Sequence, residues 1–172
     1  GYGVLGDPVM CYDSLGTCYY VQLYQNGATY GLVVVKSTNK GVSWQGPYNV
    51  ASTTVGLSDK EWIAADQTGG PYSNYVYIGW RQFGATGMRF VRSTNGGVNW
   101  SSPLTFDGQQ GAYVTIGPNG NVQGGSVYFA CVNAGGVVVN RSTDGGATFS
   151  PQVTAAAISP PGISCAGRRT VK

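Results

Sequence analysis

The sequence contains three copies of one octet: STNKGVSW at Ser37–Trp44, STNGGVNW at Ser93–Trp100 and STDGGATF at Ser142–Phe149. Their first residues are 56 and 49 positions apart, and a proline follows each copy, at positions 47, 103 and 151. The shared pattern is Ser-Thr-Asn/Asp-x-Gly-x-x-aromatic. An internal repeat of this length indicates a fold built from equivalent structural units.

Each octet has the composition of a tight turn between two strands. The Asn or Asp side chain can accept hydrogen bonds from nearby backbone amides, and the glycine can adopt a positive φ without a Cβ clash. A β-rich run precedes each octet and ends at Lys36, Arg92 or Arg141. The proline after each octet suits an outer edge strand, where a missing N–H costs little.

Each repeat has room for four strands, and no helical periodicity interrupts them. The predicted strands are 7–12, 17–24, 31–36 and 42–50, then 61–66, 75–83, 88–92 and 98–106, then 112–117, 126–133, 137–141 and 147–154. Four-stranded antiparallel units at this repeat length predict an all-β fold, a β-propeller. The predicted blades are approximately 4–56, 57–108 and 109–157, and residues 158–172 begin a fourth.

Three blades cannot close a ring, because propellers have about 4–8 blades. We therefore expect residues 1–172 to be a single partial propeller domain within a longer chain that forms a ring of six or seven blades. The alternative is that further copies of this chain complete the ring.

Composition excludes several classes of function. The 172 residues include no histidine, which excludes Ser–His and Cys–His nucleophile pairs and His-ligated metals. The ten Lys and Arg residues are spread without a run and the net charge is only +3, which argues against nucleic acid as a partner. No apolar stretch approaches the roughly 18 residues that indicate a membrane span.

The octets resemble the Asp-box, or BNR, repeats of sialidase-like β-propellers, whose motif is Ser/Thr-x-Asp-x-Gly-x-x-Trp/Phe. The third octet keeps the Asp, and Asn replaces it in the other two. The resemblance implies a peripheral structural role rather than chemistry. The residues with that role are Ser37, Asn39, Gly41, Trp44, Ser93, Asn95, Gly97, Trp100, Ser142, Asp144, Gly146 and Phe149.

The resemblance also implies what an active sialidase needs: three arginines for the substrate carboxylate, a Tyr–Glu pair as nucleophile and an Asp as acid/base. The family's Phe/Tyr-Arg-Ile-Pro motif is missing, and Arg81 and Arg168 are weak candidates for its arginines. Asp59 and Glu61 are weak candidates for the two carboxylates of a glycosidase, because they lie at the entrance to an inner strand. Alternatively, such acidic residues cap loop amides, or Asp7 and Asp59 ligate Ca²⁺.

Aromatic residues are numerous, with 12 Tyr and 4 Trp, and flat rings can stack on sugars. Trp62 is expected to pack between blades. The exposed candidates for sugar stacking are Tyr24, Tyr30, Tyr72 and Tyr113.

The four cysteines form an even set that suggests an oxidising compartment. A four-residue turn from Asp13 to Gly16 places Cys11 opposite Cys18, where a disulfide is plausible. Cys131 and Cys165 are a second possible pair, and four unpaired thiols are the alternative.

These observations favour a secreted or cell-surface propeller module without catalytic activity, which binds a glycan or an extracellular protein or has a structural role. The alternative is a glycoside hydrolase of exo-sialidase type, with part of its catalytic groups on other blades.

Overall fold

A computed structural model describes residues 3–158, which form strands and turns with no helix. The strands are β1 (Gly3–Val4), β2 (Val9–Tyr12), β3 (Cys18–Asn26), β4 (Thr29–Ser37), β5 (Gln45–Thr53), β6 (Ser58–Ala65), β7 (Val76–Gln82), β8 (Met88–Ser93), β9 (Leu104–Phe106), β10 (Gln110–Asn119), β11 (Val122–Asn133), β12 (Gly136–Ser142) and β13 (Val153–Ala157).

The strands form three antiparallel sheets in chain order. The first sheet has the order β2–β3–β4–β5, and the two-residue β1 pairs with the same edge of β3. The second sheet is β6–β7–β8–β9, and the third is β10–β11–β12–β13. The predicted all-β architecture of four-stranded antiparallel units is confirmed, and it is consistent with propeller blades.

The three octets adopt the same turn, closed by the same hydrogen bonds. In each octet the serine Oγ accepts from the glycine N–H four residues on, at 2.8, 2.9 and 2.8 Å. The Asn or Asp Oδ1 accepts from the backbone N–H four residues on, at 2.9 Å in every copy. Asn and Asp are therefore equivalent acceptors in this turn.

The outer strands begin later than predicted, at Gln45, Leu104 and Val153 rather than at positions 42, 98 and 147. The reason is that hydrogen bonds within the octet occupy its backbone amides, so that pairing with the preceding strand starts only beyond it. These strands are the sheet edges, and Pro47 lies within β5 as an edge strand allows.

Two apolar clusters join the three sheets. Trp100 of the second octet packs against the cluster between the first and second sheets, and Phe149 of the third octet packs against the cluster between the second and third. Trp44 of the first octet is 43% exposed. The second and third octets therefore each contribute their aromatic residue to the interface with the preceding sheet, and residues 3–158 contain no sheet before the first octet's own.

A polar contact repeats at both interfaces. The basic residue just before one octet donates to a backbone carbonyl of the next octet: Lys36 Nζ to Gly96 O at 2.7 Å, and Arg92 Nη1 to Gly145 O at 3.0 Å. The following glycine packs on a tyrosine of the preceding sheet, since a Cβ on Gly97 would lie 3.3 Å from Tyr19. On Gly146 it would lie 3.1 Å from Tyr77.

The expected opposition of Cys11 and Cys18 is wrong. Cys11 pairs with Tyr19, and Tyr12 pairs with Cys18. The connecting loop is one residue longer than predicted, because Asp13 N donates to Thr17 O and the Asp13 carboxylate accepts from the amides of Leu15 and Thr17. Successive residues of a strand point to opposite faces, so the shift separates the two thiols, and both are free.

The second possible disulfide is a different case. Cys131 is a buried thiol within the described part of the chain, and its Sγ lies 3.5 Å from Asp107 O. Its expected partner, Cys165, lies outside the described residues, as do Arg168 and the start of the predicted fourth blade.

Candidate functional site

The N-terminal edge strand of each sheet, termed the inner strand, is irregular at the same level. In β6, Lys60 and Glu61 lie opposite a single residue of β7, because Asp59 pairs with Arg81 and Trp62 pairs with Gly79. The strand β10 has the equivalent register shift between Gln110 and Tyr113, and in the first sheet the shift is the gap between β1 and β2. Such β-bulges redirect side chains and are frequent next to functional sites.

Each irregular step contains a residue with positive φ. The values are 60° for Asp7, 52° for Lys60 and 77° for Gly111. For Asp7 and Lys60 this conformation is unfavourable, since both carry a Cβ. The residue that follows Lys60 is Glu61, and in the third sheet the equivalent position is Ala112.

The bulge in β6 turns Glu61 into the protein. Glu61 is 1% exposed, and neither carboxylate oxygen has a hydrogen-bond partner. The pKa of Glu61 is raised to about 8, chiefly by burial; the backbone amides of Glu61 and Leu23 oppose this shift, and the charges of Asp7 and Asp59 contribute to it. Near neutral pH much of this carboxyl group is therefore protonated.

A cavity of about 380 Å³, the acidic cavity, lies between the first and second sheets. Its lining combines apolar side chains with two carboxylates and a hydroxyl; the lining residues are Leu5, Gly6, Asp7, Leu23, Leu57, Ser58, Asp59 and Phe83. Ser58 is buried, and its Oγ has no hydrogen-bond partner. Asp59 Oδ2 accepts from Gln110 Nε2 of the third sheet at 2.8 Å.

The structure thus places Asp7, Asp59 and Glu61 near one another, at the entrance to the inner strand where the sequence predicted the weak catalytic candidates. Arg81 lies differently: its Nη1 donates to Gly87 O at 2.7 Å and to Gly108 O at 3.2 Å. These carbonyl contacts tie the second sheet to the loop before the third. They occupy Nη1 of the guanidinium group that the sequence suggested for a substrate carboxylate, while its Nε is buried without a hydrogen-bond partner.

A second depression, the inner cleft, runs along the inner strands and has a volume of about 330 Å³. Its lining residues are Cys11, Trp62, Ile63, Ala64, Ala65, Gln67, Thr68, Tyr113, Val114, Thr115 and Ile116. The rings of Trp62 and Tyr113 lie 4.5 Å apart, tilted by 34°. Tyr113 is 47% exposed, so an aromatic surface borders the hydroxyl and amide groups of the cleft.

Of the four tyrosines predicted to be exposed, only Tyr113 has a solvent-exposed side chain. Tyr24 is buried and its hydroxyl donates to Asn49, and Tyr30 and Tyr72 are half-buried. Trp62 packs against the cluster between the second and third sheets, as the sequence predicted, but its pairing with Tyr113 was not predicted. The alignment of DKEW at 59–62 with QGAY at 110–113 at the two bulges is the signal that places these residues at equivalent positions.

Cys11 at the edge of the inner cleft is not a reactive thiol. Its pKa is raised to about 12, chiefly by burial and to a smaller extent by the charges of Cys18 and Asp13. Since the thiolate is the nucleophile, this cysteine is inert at neutral pH.

Among residues 3–158, no three His, Cys, Asp or Glu side chains come together as a metal-binding group. A Ca²⁺ site at Asp7 and Asp59 stays a prediction. Within the same residues no helix is long and apolar enough to cross a membrane.

The fold is similar to part of a solved structure, the Hadza microbial sialidase Hz136, with a TM-score of 0.60 and 13% sequence identity. The match covers 86% of this chain and 30% of the sialidase chain, so this chain spans less than a third of that protein's length. No protein-family model and no curated protein matches the sequence. At this identity the similarity shows a sialidase-like all-β fold and nothing about activity.

Proposed function

We propose that this chain is part of an extracellular β-propeller module that binds carbohydrate at the inner cleft without hydrolysing it. The observation that carries the proposal is the Trp62–Tyr113 pair beside Thr115 and the side-chain oxygens of Gln67 and Thr68. The donor groups of Gln67 and Thr68 bond to Tyr12 O and Asp66 Oδ1, so these two side chains offer acceptors to a ligand. Sugar rings present C–H groups to an aromatic face and hydroxyl groups to polar side chains. A concave site with both kinds of group suits such a ligand.

The state of the acidic residues supports binding without hydrolysis. A glycosidase needs two carboxyl groups that flank the scissile bond. Glu61 is buried away from both solvent and the inner cleft, and Asp59 is engaged by Gln110. The guanidinium of Arg81 is bound to backbone carbonyls. In this conformation, these side chains contribute to the packing of the inner strands.

The proposal extends to the octets and to the ring. We assign the octets as Asp boxes of propeller blades, because all three form the same turn and the second and third each pack an aromatic residue and a glycine against the preceding sheet. In the third sheet, Tyr128 and Arg141 occupy the positions that Tyr19 and Lys36 occupy in the first, as their strand pairing shows. A further blade would place its own octet there.

A glycan array tests the carbohydrate site. The wild-type chain is expected to bind at least one class of printed oligosaccharide, and Tyr113→Ala is expected to weaken that binding at least tenfold. The matched control is Tyr12→Ala, which removes a tyrosine that is 61% exposed and does not line the cleft. Absence of binding to every oligosaccharide by the folded wild type, or equal loss in both variants, would contradict the proposal.

The second candidate function is glycoside hydrolysis of the sialidase type, and the pKa of Glu61 favours it. A carboxyl group that keeps its proton near neutral pH is suited to a general acid. Hydrolysis of a fluorogenic sialoside by the chain, abolished in Glu61→Gln, would support this function and refute the non-catalytic one.

A further inference from the structure

The acidic cavity contains a buried polar group that the protein itself leaves without a partner. Ser58 is 4% exposed and lines the cavity, yet its Oγ has no hydrogen-bond partner. Buried polar groups in native proteins are almost always paired, so the Ser58 hydroxyl is available to a partner from outside the chain.

The charged side chains that line the cavity are all acidic. Asp7 and Asp59 line it, and no Lys or Arg is among its lining residues. Lys60 is exposed on the bulge, and Arg81 donates to the carbonyls of Gly87 and Gly108. The Arg81 guanidinium also lies 5.4 Å from the centroid of the Phe83 ring, but it does not line the cavity. The two lining carboxylates therefore favour a ligand that is a hydrogen-bond donor or a cation.

The apolar side chains that line the cavity favour an organic cation over a metal ion. Leu5, Leu23, Leu57 and Phe83 line the same cavity, and Leu57 and Phe83 remain more than one third exposed. A hydrated metal ion gains nothing from such walls, since Ca²⁺ takes six to eight oxygen ligands. An alkyl chain buries apolar surface there, worth about 0.8 kcal/mol for each CH₂ group.

We propose that the acidic cavity binds an organic cation that carries a primary ammonium group on an alkyl chain. The ammonium group has three N–H donors, which match the carboxylates of Asp7 and Asp59 and the hydroxyl of Ser58. The alkyl chain contacts the leucines and Phe83. Free alkyl diamines and lysine side chains of a partner protein share this chemistry. The site excludes anionic sugars, because its carboxylates repel them.

Isothermal titration with n-pentylammonium chloride tests the proposal directly, with n-pentanol as the neutral analogue and CaCl₂ as the metal. The amine is expected to bind at least tenfold more tightly than the alcohol. Its affinity is expected to fall as the salt concentration rises. Equal binding of amine and alcohol, tighter binding of Ca²⁺, or no saturable amine binding by the folded protein would overturn the proposal.

Variants locate the site. Asp7→Asn and Ser58→Ala are expected to weaken amine binding by at least fivefold and twofold, respectively. The matched control is Asp107→Asn, which removes an exposed carboxylate that does not line the cavity, and it is expected to bind like the wild type. Circular dichroism verifies that each variant is folded. Equal affinity of wild type and Asp7→Asn would place any binding elsewhere and overturn the assignment.

Two further measurements separate the ligand sources and the two sites. Tighter binding of 1,5-diaminopentane than of Nα-acetyl-lysine amide indicates a free diamine, and the reverse order indicates a lysine side chain. Tyr113→Ala is expected to keep amine binding while it loses glycan binding, and Asp7→Asn is expected to do the opposite. Joint loss of both activities in either variant would show that the two sites are one.

Discussion

At the scale of single residues, Glu61 makes the stability of the protein depend on pH. Its pKa is raised from 4.5 to about 8, chiefly by burial. The folded protein therefore holds this proton more tightly than the unfolded chain does. The resulting stabilisation is complete below pH 4.5 and is lost as the pH rises towards 8.

We therefore expect the free energy of unfolding to fall by roughly 2 kcal/mol between pH 5.5 and 7.5, since each pH unit in this window is worth about 1.4 kcal/mol. Urea denaturation at the two pH values measures it. Glu61→Gln cannot titrate and is expected to remove most of the slope, whereas Asp107→Asn is expected to keep it. A wild type whose stability rises over this window would contradict the buried state of Glu61.

Asp144 is a carboxylate with the opposite shift. Partial burial opposes its ionisation, but hydrogen bonds from the Thr148 hydroxyl and amide, from Ser142 and from the Ala147 amide lower its pKa to about 2. Its contribution to stability is therefore present above the unfolded pKa of 3.8 and is lost as the pH falls towards 2.

For the third octet we expect Asp144→Asn to be nearly neutral at pH 7, because Asn39 and Asn95 make the same backbone bonds in the other octets. Asp144→Ala leaves those amides without an acceptor and is expected to cost about 1–2 kcal/mol. Chemical denaturation of both variants measures the difference. Equal losses would mean that the negative charge, rather than the acceptor geometry, stabilises the turn.

At the scale of elements, the octets were predictable because their chemistry is local. Ser37, Asn39 and Gly41 satisfy one another within a single turn, so the pattern alone indicates the structure. The register at Cys11 was not predictable, because Asp13 extends the loop by bonding to Leu15 and Thr17.

The bulge at Lys60 could not be predicted from the sequence either. Nothing in a lysine indicates a positive φ, whereas Gly111 at the equivalent step in β10 is a residue that adopts one readily. The position of Asp59 and Glu61 at an inner strand could be predicted from the repeat. The burial of Glu61 depends on contacts between sheets, which sequence patterns do not contain.

Glycines of the octets test the contacts between sheets. Gly97 and Gly41 both have positive φ, but a Cβ on Gly97 meets Tyr19 at 3.3 Å, whereas a Cβ on Gly41 has no neighbour within 4 Å. Valine at either position is expected to cost about 1–2 kcal/mol in backbone strain. Gly97→Val is expected to cost at least about 1 kcal/mol more because of overpacking. Equal melting temperatures of the two variants would contradict the packing of the second octet on the first sheet.

At the scale of the whole molecule, the sheets are joined by one interface used twice. Trp100 and Phe149 fill the apolar part of that interface, and Lys36 and Arg92 supply its polar part. A repeated interface of this kind makes stability depend on neighbouring units, as in other repeat proteins. At the two ends of the described structure, the first octet presents one side of this interface and the third sheet presents the other.

Arg92 and Arg141 show whether the sheet that carries each arginine contacts a following octet. Arg92 bonds to the third octet, whereas Arg141 contacts Asn119 and Ser126 of its own sheet. Arg92→Met is expected to cost about 1.5–3 kcal/mol, because it removes charge-assisted bonds between sheets. In the isolated 172-residue chain, Arg141→Met is expected to cost less than about 1 kcal/mol, since exposed polar contacts contribute little.

Denaturation of both variants, with the molar mass measured by light scattering, completes the test. An equal cost at Arg141 in a monomeric chain would contradict the view that no octet packs against the third sheet of the isolated chain. Because every blade of a closed ring has a neighbour on both sides, the proposed ring makes a second prediction. In a protein that contains the additional blades, Arg141→Met must become as costly as Arg92→Met, and a cost that stays small there would refute the ring.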